Sequence, residues 1–244
     1  LYVINGDIAD RSPSSVEIFA LFFTIMLQYP SQEVVLMNRG NHECMSMNGS
    51  RCGGFLKELL DKYGPTWGPY LHSLFGLVFA LLPVATVIHK SVLVIHGGVG
   101  RNPETQMRLL GDLTLEHREA SINLWGIEND PHLDAMMDSL WSDPGDEPGS
   151  KVNRRGNGHV WGPDYTDRFL KATGLKMIVR SHEVPVDLSG VLVHDAHNGR
   201  LVTVFSASNY GSRGNRAGAL LVYGSGPCLE LLCVDLGLCP PWSE

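Results

Sequence analysis

Four uninterrupted aliphatic and β-branched runs in this chain each stop at a metal-capable side chain set among glycine or other turn residues. Tyr2-Val3-Ile4 leads into Asn5-Gly6-Asp7, and Val34-Val35-Leu36-Met37 into Asn38-Arg39-Gly40-Asn41-His42-Glu43. Val92-Leu93-Val94-Ile95 leads into His96-Gly97-Gly98, and Met177-Ile178-Val179 into Arg180-Ser181-His182. A strand buried on both faces reads as a continuous apolar run instead of an alternating one. The point where such a strand leaves its sheet lies on the edge where ligand sites of α/β folds collect. Asp7, Asn41, His96 and His182, each arriving from its own strand, offer a mixed oxygen and nitrogen donor set for a borderline-hard divalent metal.

The segments between these runs predict an α/β chain with layered helices and strands. The spacing of Ile18, Leu21, Phe22 and Ile25 predicts a helix that Ser14 and Glu17 would open as a capping box and Pro30 would close. Two further helices are expected over 53–63 and 69–82, the first stopped by Gly64-Pro65 and the second by Pro83. The apolar stretch 74–88 is too short and too interrupted to cross a membrane and reads as a helix followed by a strand. Residues 100–150 are polar and acidic, with helical pieces and loops. Strands are expected at 176–179, 191–194, 201–206, 219–223 and 229–234. One domain over 1–244 with a mixed sheet or two packed sheets accommodates this order.

At 43% hydrophobic and 18% charged residues, the chain can bury a sizeable core. A net charge of −7 excludes a basic nucleic-acid footprint. Five cysteines without a C-x-x-C pattern argue against a disulfide framework or zinc knuckle and for reduced thiols inside the cell, in the cytoplasm or nucleus. No secretory leader is visible in these residues, and a start inside a strand is what a fragment of a longer protein would show.

The turn 6–11 sets two carboxylates and an arginine together. Asp7 can face a metal while Asp10 points elsewhere, and the planar fork of Arg11 suits a phosphate; a surface turn holding an Asp–Arg pair accounts for the hexapeptide equally well. In the second motif Asn41 is an oxygen donor, and His42 could protonate a leaving group if a carboxylate held its other nitrogen, for which Asp10 is the natural candidate. Arg155, in the glycine-rich loop 154–158, could reach an anionic oxygen, and Tyr210, after a strong strand, could donate to a substrate or simply pack. His72, His89, His117, His132, His159, His194 and His197 lack comparable context and read as ordinary histidines.

Taken together these motifs resemble the phosphoprotein phosphatase family of metal-dependent Ser/Thr phosphatases, whose calcineurin-like metallophosphoesterase fold is a central β-sandwich of mixed sheets flanked by helices. The family's G-D-x-x-D-R-G is matched by residues 6–11 with Ser12 replacing its last glycine. R-G-N-H-E is matched by 39–43, H-G-G by 96–98, and L-W-S-D-P by 140–144. R-x-H-x is matched by 180–183, and F-S-A-P-N-Y by 205–210 with Ser208 replacing proline. Ser208 and Asn215-Arg216 look most like the EF-hand-bearing branch, although no EF-hand calcium loop is present.

The resemblance implies hydrolysis of phosphoserine and phosphothreonine in proteins by metal-activated water at a dinuclear centre, with two divalent ions (Mn, or Fe and Zn). It implies Asp7, Asn41, His96 and His182 as metal ligands and Asp10 with His42 as the acid dyad. It also implies Arg11, Arg155 and Tyr210 at the substrate phosphate, with Asp143 in support. Phosphoproteins are the implied partners, with regulatory domains or subunits, and neither nucleic acid nor a membrane span is expected. The family's earlier G-D-x-H-G motif and its strand do not occur within these residues, so the first metal site is expected to be incomplete. Two other readings stay open on residues alone: a catalytically impaired pseudophosphatase acting as a scaffold, and a metallophosphoesterase acting on nucleotides.

Overall fold

The computed structural model describes residues 1–30, 34–49, 54–121, 130–225 and 228–237. Strand β1 (Tyr2–Ile4), helix α1 (Ser15–Gln28) and strand β2 (Val35–Met37) form a parallel crossover unit in which Tyr2 faces Val35. A short α2 (Met45–Asn48) and the long α3 (Phe55–Leu81) lead to the antiparallel pair β3 (Ala85–Ile88) and β4 (Val92–Ile95). Helices α4 (Gln106–Gly111), α5 (Leu115–Ala120) and α6 (Pro131–Trp141) follow. Then come β5 (Asp143–Pro144), β6 (Ser150–Val152) and β7 (His159–Trp161), which pair in the order β5-β7-β6. Helix α7 (Pro163–Thr173) starts with proline at its first position and ends on Gly174 at φ +71°. The chain continues through β8 (Met177–Arg180), β9 (Val191–Val193) and β10 (Leu201–Val204) into the long hairpin β11 (Ala217–Ser225) and β12 (Cys228–Gly237).

The principal sheet has the order β3-β4-β8-β10-β9, with β4, β8 and β10 mutually parallel. Alternation along β4 splits its side chains between two cores. Leu93 and Ile95 join Ile178 and Leu201 beneath α4, α6 and α7, against Leu109, Met136, Leu140 and Phe169. Val92 and Val94 turn the other way with Val179 and Val202, and meet Val3 of β1 together with Leu220, Val222 and Leu231 of the hairpin. The second layer of the sandwich is therefore made by β1–β2 and β11–β12. Its outer side at Val35 and Met37 is covered by α1 and α3. Phe19 is the hub of that core, with ring centroids 5.2–5.7 Å from Phe23, Phe55, Phe75 and Phe79. This is the layered α/β sandwich flanked by helices that the motifs implied.

Several local expectations are corrected. Ser14 precedes α1 without a side-chain cap bond. The amides of Ser15 and Val16 instead donate to the Glu58 carboxylate, 43 and 42 residues away, at 3.2 and 3.0 Å. Glu17, the expected box partner, turns to Lys62. Tertiary packing brings a better acceptor than the local serine. The two helices expected either side of Gly64 abut to form α3; Gly64 at φ +76°, ψ 179° is the break between them, and the predicted start at Gly53 lies outside the described residues. The strands expected at 191–194 and 201–206 are shorter, and those at 219–223 and 229–234 extend into a nine- and a ten-residue hairpin. The β5-β7-β6 sheet has no sequence counterpart, since its strands carry only two or three residues.

Candidate metal centre

The C-terminal ends of β1 and β2, and of β4 and β8, each lie side by side because each pair is parallel. The pairs belong to different sheets, and two asparagines join them. Asn5 Nδ2 donates to the Ile95 carbonyl at 2.9 Å and to Ser181 Oγ at 3.0 Å. Asn38 Nδ2 donates to Asn5 Oδ1 at 3.0 Å and to the Val94 carbonyl at 3.1 Å. With the edges held, the four predicted ligands converge. His96 Nε2 lies 3.3 Å from Asp7 Oδ2, 3.1 Å from Asn41 Oδ1 and 3.2 Å from His182 Nδ1. His182 Nδ1 and Asn41 Oδ1 are 3.0 Å apart.

These separations are what a shared ion demands. Bonds of ~2.0–2.2 Å to one cation place neighbouring donors about 3.0–3.5 Å apart in octahedral or tetrahedral shells. Protonation agrees. His96 Nδ1 lies 2.7 Å from the Asn5 carbonyl and must donate to it, so Nε2 turns a lone pair into the cage. Burial, with His96 and Arg180 nearby, holds His182 well below the usual imidazole range and therefore neutral. Burial pushes the Asp7 carboxyl up, but its contact with His96 overcomes this and lowers it overall. Asn41 with its oxygen inward completes a set of acceptors; with the amide turned over, its NH2 would donate to Asp7, His96 and His182. The side chain would thus serve a cation through oxygen, or the other candidate ligands through nitrogen. His182 Nε2 is buried without a hydrogen-bond partner, 3.8 Å from Asp143 Oδ1, which Arg180 Nη2 holds at 2.9 Å. The donor set fits a divalent metal.

The backbone is bent to make this cage. Asp7, Asp10, Arg11 and His182 all occupy the left-handed region, at φ +56°, +74°, +57° and +67°. Such conformations cost about 1–3 kcal/mol each and persist where surrounding structure enforces them. Glu43 supplies much of the enforcement. Its buried carboxylate accepts from the amides of Asp7, Ile8, Ala9 and Gly40 at 2.8, 2.9, 3.0 and 2.7 Å. The β1 and β2 turns are pulled so close that a Cβ on Gly6 would sit 2.3 Å from the Gly40 nitrogen.

Beside the cage, His42 Nδ1 is 2.6 Å from Asp10 Oδ2, and Asp10 Oδ1 accepts from the Phe55 amide at 2.6 Å. Asp10 is thereby anchored to the start of α3 and orients the imidazole. Burial lowers the His42 pKa, but the Asp10 hydrogen bond and the Asp7 and Asp10 charges outweigh it and raise it overall. Arg11 Nη1 donates to the Tyr210 hydroxyl, and its guanidinium lies 5.7 Å from the Tyr210 ring centroid. Tyr210 begins a 3₁₀ turn, not a strand end, and the buried Asn215 fixes that loop by accepting from the Tyr210 amide and donating to the Ala207 carbonyl. Arg155 is not in direct contact with the four ligands: its Nε donates to Asp143 Oδ2 at 2.8 Å and its Nη2 to Glu183 at 3.5 Å. It meets the cage through Asp143.

Asn5, Asn38, Glu43 and Asn215 went unassigned in the sequence reading. Glu43, inside a matched motif, and Asn215, in the pair likened to the EF-hand-bearing branch, carried a signal. Among the remaining histidines, His194 and His197 are packed side chains bonded to Thr203 and Thr166. His117 and His132 flank Asp130, at 3.5 and 3.4 Å. Their rings stack at 4.7 Å and 16°, and with Asp130 they form a second, partly exposed group of side chains that could hold a metal.

The calcineurin-like phosphoesterase family matches residues 1–186. Serine/threonine-protein phosphatase T of Saccharomyces cerevisiae is 37% identical over 222 residues, covering 91% of this chain and 39% of that protein. Human serine/threonine-protein phosphatase 5 is 37% identical, covering 92% and 40% respectively. Rat serine/threonine-protein phosphatase with EF-hands 1 is 34% identical, covering 93% and 38%. A solved Saccharomyces cerevisiae serine/threonine phosphatase with similarity to human PP5 superposes with a TM-score of 0.73 at 33% identity, over 98% of this chain and 72% of that one. The chain spans about two fifths of the length of these curated relatives.

Proposed function

The chain belongs to the calcineurin-like phosphoesterase family, and from that premise we propose that it is the catalytic domain, over 1–244, of a protein phosphatase that hydrolyses phosphoserine and phosphothreonine. The observation that carries the proposal is one cage with two attachments: His96 Nε2 with the donor atoms of Asp7, Asn41 and His182 all 3.1–3.3 Å from it, an Asp10–His42 pair, and the Arg11–Tyr210 pair. Its relatives are named as serine/threonine-protein phosphatases, which supports this substrate over nucleotides.

Asp7, Asn41, His96 and His182 would hold a divalent cation, manganese or one of an iron–zinc pair, which when bound polarises phosphoryl oxygens and lowers the pKa of water toward about 7. The chain's own groups do the rest. Arg11 presents a planar fork to two phosphate oxygens, and the Tyr210 hydroxyl holds that fork in place. Asp10 fixes the His42 tautomer through Nδ1, leaving Nε2 to carry the proton that the departing serine or threonine oxygen needs. Arg155, held by Asp143 and Glu183, adds positive charge on the His182 side. Phosphoproteins are the proposed partners, with regulatory segments elsewhere in the protein. A reducing interior, cytoplasm or nucleus, suits the five cysteines.

The test is phosphate release from phosphothreonine peptides by the full-length protein with added Mn²⁺. Activity should vanish with chelator, and His42→Asn should lower it by about 10²–10⁴-fold while Mn²⁺ binding is retained. No metal-dependent release from phosphopeptides would refute the proposal, and faster turnover of nucleotides would refute its substrate class.

A further inference from the structure

Helix α3 carries a second apolar face that nothing in the chain covers among the described residues. Its inner face holds Phe55, Leu59, His72, Gly76 and Phe79 against the core. On the opposite side lie Trp67, Tyr70, Leu74, Leu77 and Leu81, with exposures from 40% at Leu74 to 64% at Leu81. Their positions alternate in steps of three and four, the a/d spacing of a helix that packs lengthwise against another helix. Single exposed leucines are unremarkable, but a continuous seam of this kind marks an interaction surface.

We propose that this seam is a self-association surface, on which α3 of a second copy of this chain packs antiparallel. Three observations select that occupant. First, residues 64–81 contain no Asp, Glu, Lys or Arg. The seam therefore has no charged flanks to choose an oppositely charged helix or an anionic surface, and the chain's net charge of −7 further disfavours an anionic bilayer. Second, the seam is self-complementary. In an antiparallel pair a-positions face d-positions, so Leu74 meets Leu77 of the second copy across the two-fold axis and Tyr70 meets Leu81, with each Trp67 closing one end. That is the isologous arrangement of a cyclic dimer. Third, the area suffices. The five side chains expose roughly 500 Å² per copy, so pairing removes about 1,000 Å² from water, the lower bound of a specific interface before flanking residues such as Tyr63 are added. Trp67 and Tyr70, in edge-to-face contact at 5.9 Å, supply the aromatic anchors that such interfaces concentrate. The cage and the Arg11–Tyr210 pair use none of these side chains.

Sedimentation velocity of the full-length protein over a wide concentration range tests the assignment. The wild-type protein should reach twice the monomer mass, and Leu74→Glu with Leu77→Glu should halve the apparent mass at every concentration. Because both leucines are already solvent-exposed, the double variant should keep its far-UV spectrum and melting temperature within a few degrees of the monomeric state. A control at a highly exposed apolar residue elsewhere, Val186→Glu, should leave the mass doubled. A wild-type monomer throughout, as when another segment of the same protein covers the seam, overturns the proposal. So does a dimer that survives the double substitution, or one that Val186→Glu dissolves equally well.

Discussion

Replacing Glu43 with Gln should cost this protein a large part of its stability without changing the shape of the residue. The carboxylate is 1% exposed and accepts four backbone amides, two per oxygen: Ile8 and Ala9 on Oε1, Asp7 and Gly40 on Oε2. Glutamine keeps one oxygen and therefore two of those bonds. Its NH2 must face the other two donors, leaving two buried N–H groups without an acceptor at about 1–3 kcal/mol each. The sum, roughly 2–6 kcal/mol, compares with ~5–15 kcal/mol for the net stability of a typical domain. The same change releases the Asp7 amide, which helps hold a ligand residue at φ +56°, so metal affinity should fall by about 10–100-fold, as for other groups that support metal ligands. Denaturant unfolding without metal measures the first effect: the midpoint should drop while the slope stays constant. Calorimetric titration with Mn²⁺ measures the second. A loss below about 1 kcal/mol would show that the carboxylate does not carry the two turns.

Two further outcomes follow from the same geometry. Burial, with His197 and Arg180 nearby, holds His194 down at about 4, so the folded ring stays neutral while the unfolded ring takes up a proton below about 6.5. Stability contributed by the neutral ring is complete above that pH and lost as pH falls toward about 4; solvent screening reduces the full ~3 kcal/mol to about 1–2 kcal/mol at this partly exposed site. His194→Gln should flatten that loss in melts at pH 7 and pH 5, and identical pH slopes in both proteins would refute it. At the start of α1, Glu58→Ala should destabilise by about 1–2 kcal/mol because the Ser15 and Val16 amides lose their acceptor, whereas Glu17→Ala should stay within about 0.5 kcal/mol; a larger effect at Glu17 in urea unfolding would restore the local capping box.

The sequence by itself determined which side chains could make the cage. A strand buried on both faces must be apolar throughout, so a polar residue at its end stands out, and Asp7, Asn41, His96 and His182 are legible for that reason. Helices α1 and α3 were legible through their apolar spacing and the proline and glycine that end them, whereas α4 to α6 were foreseen only as helical pieces and α7 was not foreseen. What joins the pieces was not. Apart from the Gly40 amide three residues before Glu43, Asn5, Asn38 and Glu43 act on partners 33 to 176 residues away, and no local pattern signals an amide that bridges two sheets or a carboxylate that staples two turns. Local rules named Ser14 as a cap until packing delivered Glu58. The pairing of Arg155 with Asp143 and the doubling of α3's apolar face are likewise outcomes of tertiary placement. Backbone periodicity is a property of neighbours along the chain, so sequence carries it; hydrogen bonds between distant turns exist only once the sandwich has closed, and those bonds decide where the proposed metal donors point.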